Sequence, residues 1–256
     1  MDNVIGVGLA GLLAQSGTLD AAASNIANVD TPGFGSRDTT ISTGPSELVR
    51  NPNTTLAGQT LVPGASVQVG PLLSSDTPTF SNGMTPTGAP YDLAVDGNGF
   101  FQVEGPGGQV YYTRDGAFTV DADGNLVTDQ GAFVLPRITV PPGAQATVSP
   151  TGVVSATING VPTTLGQLTL ASVPNPSSLE DMGNGLYLPS ADTGPVTTGN
   201  PGAAGLGTIV EGSLNASGTD LASSLVTLIQ AESAYQMSAK LVSVGQALDT
   251  ATTQMA

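Results

Sequence analysis

The chain has 256 residues, of which 39% are hydrophobic and only 10% are charged, so it can bury a substantial core while 34 glycines and neutral polar side chains supply much of the rest. Five basic residues against twenty acidic ones give a formal charge of -15, which disfavours nucleic acid and anionic membrane surfaces as partners. The sequence contains no cysteine and no histidine, which excludes disulfides, thiolate or imidazole metal ligands and the usual serine or cysteine hydrolase triads.

The N-terminal segment is apolar but does not have the features of a secretory signal. Asp2 precedes the apolar stretch and the first basic residue is Arg37, whereas a signal peptide begins with positive charge. No run of eighteen apolar residues is present, so we expect no membrane insertion. We expect this segment to belong to the mature protein, and any export to use a route that does not cleave a signal.

Residues 4–27 are predicted to form the first helix. Asp2 or Asn3 can cap its start, and Pro32 and Gly33 follow its end. Four glycines within it each cost roughly 1 kcal/mol relative to alanine, so the helix needs a partner. Its apolar residues recur at the three-four spacing of a coiled coil: Ile5, Leu9, Leu12, Leu19, Ala23 and Ile26.

The second predicted helix lies at the other end of the chain. Thr219 is a plausible N-cap, with Asp220 in the first turn. The apolar residues again follow three-four spacing, with one slip after the third: Leu221, Leu225, Leu228, Ala234, Met237, Leu241, Val244, Leu248, Ala251 and Met255. Because both helices present an apolar line, we expect them to pair along it.

Between the helices the sequence is typical of strands and turns. Residues 36–90 are rich in Pro, Gly, Ser and Thr, with short extended pieces at 60–64 and 66–70, and are predicted to be an irregular extended connector. From Tyr91, short apolar runs alternate with glycine turns, which predicts an antiparallel domain over 91–212. The predicted fold is therefore mixed α and β, with an assembly domain of 1–35 plus 213–256 flanking a mainly antiparallel β domain. Strands are expected at 92–95, 99–104, 110–114, 117–120, 125–128, 132–135, 138–140, 146–149, 153–158, 167–173 and 186–189.

Candidate catalytic and metal-binding motifs are weak. The tripeptide at 192–194 matches that of aspartic proteases, but it occurs once, and those enzymes need two paired carboxylates. Residues 96–99 and 121–125 resemble the start of calcium loops without the further ligands, so both are interpreted as hairpin turns. We therefore expect no catalytic residue, cofactor or metal.

Aromatic residues concentrate in the first half of the β domain, and one alternative function rests on them. They could form a sugar-binding platform, which would make the chain a secreted carbohydrate-binding or adhesive protein. Adjacent residues on a strand point to opposite faces, so at least half of these rings are expected in the core. The residues are Phe100, Phe101, Tyr111, Tyr112, Phe118 and Phe133.

Three blocks of the sequence resemble the bacterial flagellar rod and hook proteins. The first is "ASNIANVDTPGF" at 23–34, which is similar to a motif near the N-terminus of that family. The second is "LAVDGNGFFQV" followed by "YTRDGAFTVDADGNLVT", and the third is the C-terminal segment from Glu211 to Ser243. They occur in the family's order and cover both ends and most of the middle.

This resemblance implies a structural subunit rather than an enzyme. It implies export through the flagellar type III apparatus, helical self-assembly into a tube of the basal body across the periplasm, and contacts with other rod and hook proteins and with the surrounding rings. The implied assembly interface combines the two apolar lines with residues of the matched motifs. It comprises Ile5, Leu9, Leu12, Leu19, Ala23, Asn25, Ile26, Asn28, Thr31, Gly33, Phe34, Leu221, Leu225, Leu228, Tyr235, Leu241, Val244 and Leu248.

Overall fold

The computed structural model describes residues 2–44, 46–50, 53–54, 60–62, 65–68, 70–158 and 160–255. The chain divides into two compact units. The helical unit comprises 1–26, 37–76 and 221–256, and the β unit comprises 27–36 and 77–220. The sequence predicts different boundaries: an assembly domain of 1–35 plus 213–256, a connector of 36–90 and a β domain of 91–212. That division stays a prediction.

Both expected helices are present, which confirms the mixed fold with a helix at each end of a mostly antiparallel β region. Helix α1 is Asp2–Ala27 and helix α2 is Leu221–Met255. The start of α2 puts Asp220 at the N-cap position, and the hydroxyl of Thr219, the expected cap, is buried without a hydrogen-bond partner. The side chains of Asp2, Asn3 and Met255 lie outside the described residues. Neither described helix combines the length and apolarity needed to cross a lipid bilayer.

The first set of strands follows α1 along the chain, within residues 36–90 that the sequence predicts to be an irregular connector. Strand β1 pairs with β6, β2 pairs antiparallel with β5, and β3 pairs antiparallel with β4. Pro63, Gly64 and Val69 of the two expected extended pieces lie outside the described residues. The strands are β1 (Ser36–Thr43), β2 (Ser46–Arg50), β3 (Asn53–Thr54), β4 (Thr60–Val62), β5 (Ala65–Gln68) and β6 (Pro71–Thr79).

The remaining strands build the β unit. They are β7 (Met84–Pro86), β8 (Leu93–Asp96), β9 (Phe100–Glu104), β10 (Val110–Thr113), β11 (Phe118–Val120), β12 (Leu126–Thr128), β13 (Phe133–Leu135), β14 (Ala146–Val148), β15 (Val153–Ile158), β16 (Val161–Gln167), β17 (Leu170–Ser172), β18 (Leu179–Asp181), β19 (Tyr187–Pro189), β20 (Thr197–Gly199), β21 (Thr208–Glu211) and β22 (Ser213–Asn215). Ten of them, β8–β15, β17 and β19, correspond to runs that the sequence predicts, whereas β7, β16, β18, β20, β21 and β22 are additional strands.

Strand β9 is the centre of a nine-stranded sheet with the order β11-β12-β13-β9-β10-β19-β18. On the side away from β10, β9 pairs with β13 and also with β17, which in turn pairs with β20. Strands β14, β15 and β16 form a separate antiparallel sheet, while β8 pairs with β21 and β7 with β22. The pairs β8–β21 and β7–β22 join the beginning of the β unit to its end.

The two aromatic residues at the start of β9 show how the sheet separates two cores. Phe100 and Phe101 are both almost fully buried, but they belong to different clusters because adjacent residues on a strand face opposite ways. Phe101 packs edge-on against Phe118 in the larger cluster, and Phe100 packs with Tyr187 and Ala171 in the smaller one. The expectation that at least half of the aromatic rings are core is confirmed.

The predicted turns at 121–125 and 96–99 are both present, but the second is not a hairpin, and the predicted strand at 138–140 is reduced to a single bridge. In residues 121–125 the Asp121 carboxylate accepts hydrogen bonds from the amides of Asp123 and Asn125, which closes the β11–β12 hairpin. Residues 96–99 also form a turn, but it joins β8 to β9, which belong to different sheets, so it is not a hairpin. The expected strand at 138–140 is a single bridge from Thr139 to Asn125.

Candidate assembly surface of the terminal helices

Glycines bring α1 and α2 into close contact. A Cβ atom added to Gly8 would lie 2.7 Å from Val242 Cγ2 and 3.3 Å from its backbone nitrogen, and one added to Gly11 would lie 2.7 Å from Ser238 Oγ. Residue numbers rise along α1 as they fall along α2, so the two helices are antiparallel. Gly8 and Gly11, two of the four glycines that weaken α1, therefore have a packing role, since they allow the two helix backbones to approach closely.

Each helix carries a line of small or polar residues that is buried within the chain, and we call these two lines the small-residue seam. On α1, Gly11, Thr18 and Asn25 are buried and seven residues apart. On α2, Ser224, Ala231 and Gly245 are buried at multiples of seven, with half-buried Ser238 completing the series. The register set by Gly11 and Ser238 places Thr18 level with Ala231 and Asn25 level with Ser224.

The small-residue seam differs from the line of contact expected from apolar spacing. On α1 the predicted line of Ile5, Leu12, Leu19 and Ile26 is offset from the seam by one residue, and all four are half-buried. A one-residue offset rotates a side chain by about 100° around a helix. The helices thus pair within the chain through small side chains, and the larger apolar residues are turned partly away.

Helix α1 also packs against β1 and β6. A Cβ atom on Gly17 would lie 2.8 Å from Leu73 Cδ2 of β6. The buried Asn25 side chain accepts a hydrogen bond from the Arg37 amide at 2.7 Å and donates one to the Arg37 carbonyl at 3.0 Å. Asn25 thereby satisfies both backbone groups of one residue at the start of β1.

Helix α2 carries an extended apolar surface that remains exposed in the single chain. Met237 is 66% exposed and Ile229 is 62% exposed. A shallow depression on this surface is lined by Ala234, Met237, Ser238, Lys240, Leu241 and Val244. Contiguous exposed apolar surface of this kind marks an interaction site. The exposed large apolar residues of α2 are Leu221, Leu225, Val226, Ile229, Tyr235, Met237, Leu241, Val244 and Leu248.

The predicted interface residues divide into three groups by exposure. Those that are exposed are Leu9, Ala23, Leu221, Leu225, Tyr235, Leu241, Val244 and Leu248. Those that are half-buried are Ile5, Leu12, Leu19, Ile26, Asn28, Thr31 and Leu228. Those that are buried within the chain are Asn25, Gly33 and Phe34. Leu13, Val226, Ile229 and Met237 are as exposed as any of the predicted set.

The segment that follows α1 belongs to the β unit and is fixed there by backbone contacts. Gly33 has a positive φ of 64° and lies against the Arg114–Asp115 peptide, where a Cβ atom would overlap the Arg114 carbonyl. Its amide donates to the Asn215 carbonyl at 2.9 Å. Phe34 is only 4% exposed, and its carbonyl accepts from the Gly218 amide. Gly33 and Phe34 are thus held inside the chain, so any effect they have on assembly is through positioning.

Arg114 organises the adjacent loops, a role that the sequence did not reveal. Its guanidinium donates to the carbonyls of Gly97, Gly99 and Ser81 and to the side chain of Asn82. It also lies 5.2 Å from the centroid of the Phe100 ring. Burial lowers the pKa of Arg114 from its ordinary value. Spacing could not predict this residue, because its partners come from other turns of the chain.

Asn215 repeats in the β unit what Asn25 does in the helical unit. Its side chain accepts from the Val95 amide at 2.8 Å and donates to the Val95 carbonyl at 2.9 Å, and the residue is 1% exposed. Val95 is in β8, so Asn215 ties the end of β22 to that strand. Sequence reasoning missed this residue as well, since a single Asn before a turn has an ordinary turn interpretation.

The candidate catalytic motif has a structural explanation. Asp192 lies in a short 3-10 turn, Ala191–Thr193, that is capped by the Ser190 side chain, and the aspartate is exposed. The turn interpretation of residues 192–194 is therefore confirmed. Among the described residues, no group of three or more Asp, Glu, His or Cys is arranged to hold a metal ion.

Two antiparallel terminal helices, with an exposed apolar face on α2, and an antiparallel β unit are the architecture of a structural protein. Models of three flagellar families match the chain. "Flagella basal body rod protein" matches residues 5–34, "Flagellar hook protein FlgE/F/G D1 domain" matches 94–156, and "Flagellar basal body rod FlgEFG protein C-terminal" matches 210–255. They cover α1, the central strands and α2.

Individual proteins similar to the chain identify its family within this class. The chain is 34% identical to the flagellar basal-body rod protein FlgG of Buchnera aphidicola subsp. Schizaphis graminum over 91% of each chain, and 34% identical to FlgG of Agrobacterium fabrum over 93% of each. It is also 34% identical to the flagellar basal-body rod protein FlgF of Caulobacter vibrioides, over 94% of this chain and 93% of the other. The chain belongs to the flagellar basal-body rod protein family and is a structural subunit of the rod.

Proposed function

We propose that this chain is the distal rod subunit and that it polymerises helically through its terminal helices. The polymer is a tube that transmits motor torque, spans the periplasm and encloses the export channel. The subunit reaches its site through the type III export apparatus without cleavage of a signal peptide, and it contacts other rod and hook proteins and the rings around the rod. The observation that carries the proposal is the exposed apolar face of α2.

The exposed face favours a polymer over a closed dimer. Apolar side chains gain roughly 25 cal/mol for each Å² removed from water, so a face of this kind is stabilised when another surface covers it. In a helical polymer one patch docks on a different patch of the next copy, and the rotation does not close. The chain offers two different surfaces for such docking, the exposed sides of α1 and α2.

The alternative of a carbohydrate-binding or adhesive protein is not favoured. Its motivating feature was the aromatic cluster, but Phe100, Phe101 and Phe118 are buried in the two cores. Tyr111, Tyr112 and Phe133 are half-buried on neighbouring strands. The family relationship supports a rod subunit and gives no support to sugar binding.

The proposal is tested by replacing Leu241, which is exposed on α2, with Asp. We expect concentrated wild-type protein to form tubes visible by negative-stain electron microscopy, and Leu241→Asp to remain a folded monomer. A charge on the apolar face opposes its removal from water, and the β unit is untouched. Circular dichroism reports the fold, and sedimentation reports the polymer.

Val161→Asp is the matched control for this substitution. Val161 is 61% exposed on β16, so the change introduces the same charge into exposed apolar surface outside the helices. This variant should form tubes like the wild type. Tubes formed equally well by Leu241→Asp would contradict the assignment of α2 as the assembly surface.

A further inference from the structure

Among the described residues, three exposed charges on the two helices have no ionic partner: Asp20 on α1, and Glu232 and Lys240 on α2. Asp20 is exposed on α1 and Lys240, the single lysine of the sequence, is exposed on α2. The ion pairs among the described residues are Arg37–Asp76 and Arg137–Glu104. Arg114 is committed to the oxygen atoms of its own loops. Lys240 is therefore a cation on an apolar face, in a chain that is otherwise strongly acidic.

Asp20 and Lys240 cannot pair within one chain. Gly8 lies level with Val242 and Gly11 with Ser238, so the antiparallel register places Asp20 level with Ile229 and Gln230. That position is about ten residues from Lys240, or about 15 Å along the helix at a rise of 1.5 Å per residue. An ion pair requires the charged atoms to approach within about 4 Å. If these two charges meet, they meet between copies.

We infer that Asp20 of one copy pairs with Lys240 of the next copy and sets the register in which α1 docks on the neighbouring α2. This inference rests on the proposed helical polymerisation. Screw symmetry preserves direction along the axis, so every α1 in the polymer has the same polarity. Because α1 and α2 are antiparallel within a chain, α1 of one copy is also antiparallel to α2 of the next.

The side chains around the two charges are complementary in size in that antiparallel register. With Asp20 level with Lys240, Ala23 lies level with Met237 and Ser16 with Val244. Each pair sets a small residue of α1 against one of the exposed large residues of α2. On the far side of Ser16, Leu13 comes level with Ala247 and Leu248. Ridges of one helix packing into gaps of the other are the usual geometry of helix contacts.

Charge complementarity of this kind selects register because a wrong register leaves Lys240 facing apolar residues or places like charges together. Docking also removes water from around the pair, which strengthens the attraction. A second copy of this chain is thus the occupant that the surface fits. Its α1 supplies the carboxylate, the small residues and the large apolar residue in the required order.

The test exchanges the two charges. Lys240→Glu and Asp20→Lys each place like charges together and should each raise the critical concentration for tube formation by at least about tenfold. The double variant, with both substitutions, restores opposite charges and should return the critical concentration to within about twofold of the wild type. Pelleting at a series of protein concentrations measures this quantity, and circular dichroism verifies that each monomer is folded.

Asp123→Lys is the matched control, because it makes the same change in net charge as Asp20→Lys on an exposed turn of the β unit. It should leave the critical concentration near that of the wild type. Unchanged polymerisation by both single variants, or a double variant no better than the singles, would overturn the pairing while leaving the proposed function intact. A wild-type protein that forms no tubes would overturn both.

Discussion

Many large aliphatic side chains of the β unit are almost fully buried, whereas many of the large apolar side chains on α2 are exposed. Leu93, Val95 and Leu170 have no exposed surface, but Ile229 and Met237 are each more than 60% exposed. The β unit therefore completes its core within one chain. The helical unit pairs its helices through small residues and leaves its large apolar residues for other copies, so one region is built to fold and the other to assemble.

Glycine shows the same contrast between the two regions. In the β unit, Gly33 and Gly116 allow backbone segments to touch, and a side chain would collide with immobile carbonyl groups. In the helical unit, Gly8 and Gly11 allow two helices to approach, and a side chain would meet the side chains of Val242 and Ser238. The backbone groups that face Gly33 and Gly116 cannot move aside for a side chain, whereas the side chains of Val242 and Ser238 can shift at a moderate cost in free energy.

The largest expected effect is therefore that of Gly116→Ala. The added Cβ atom would overlap the carbonyl oxygen of Leu93 in β8, and the Gly116 carbonyl accepts hydrogen bonds from the amides of Leu93 and Phe118. Neither backbone can move without breaking this pairing. We expect the free energy of unfolding of the β unit to fall by more than about 3 kcal/mol. Urea denaturation followed by tyrosine fluorescence measures the change, and a loss below about 1 kcal/mol would show that the strand pair is adaptable.

The next largest expected effects are on the stability of the helices, and they come from two glycines of α1 that differ in their surroundings. Gly6 has no atom within 4 Å of an added Cβ, so Gly6→Ala should stabilise the helix by about 1 kcal/mol. Gly8→Ala has the same gain in propensity but must displace Val242, so it should weaken the helix pair by about 1 kcal/mol overall. Amide hydrogen exchange in α1 and α2 measures both effects. Equal protection in the two variants would mean that the close approach of Gly8 to Val242 does not hold the helices together.

Both helices and ten strands of the β unit could be predicted from the sequence, because each of these elements depends on local pattern. Three-four apolar spacing located α1 and α2 to within a few residues, and glycine turns located strands such as β9 and β10. Turn chemistry correctly explained residues 121–125 and 192–194. These features depend on neighbours in sequence, and the structure changed little about them.

The pairing of those elements could not be predicted, because it depends on residues far apart in sequence. Apolar spacing does not say whether a helix face meets its own chain or another copy, and Gly11, Thr18 and Asn25 give almost no hydrophobic signal. Likewise nothing near Phe100 indicates that β9 pairs with β17, about seventy residues further along. The roles of Arg114 and Asn215 belong to the same class, since their partners converge only after folding.

The smallest expected effect is a pH dependence of the free energy of unfolding, and it arises from two carboxylates of the β unit, Asp115 and Asp121. Burial raises the pKa of Asp115 above its ordinary value of 3.8, with smaller contributions from Asp129 and Asp92, although a hydrogen bond from the Ala117 amide opposes the shift. The folded state therefore favours the protonated form. The resulting stabilisation is fully present below the ordinary value and is lost as pH rises through the raised one.

Asp121 has the opposite dependence. Hydrogen bonds from Asn125, and further backbone amides of the turn, lower the pKa of Asp121, so its stabilising contribution is present above 3.8 and is lost as pH falls through the lowered value. Urea denaturation between pH 3 and 7 should show the stability of Asp115→Asn, relative to wild type, rising with pH, and that of Asp121→Asn falling with pH. Asp123→Asn, in the same turn as Asp121, is the control for loss of a surface charge. Parallel pH profiles for the two test variants would contradict the assignment, because burial and hydrogen bonding act on these carboxylates in opposite directions.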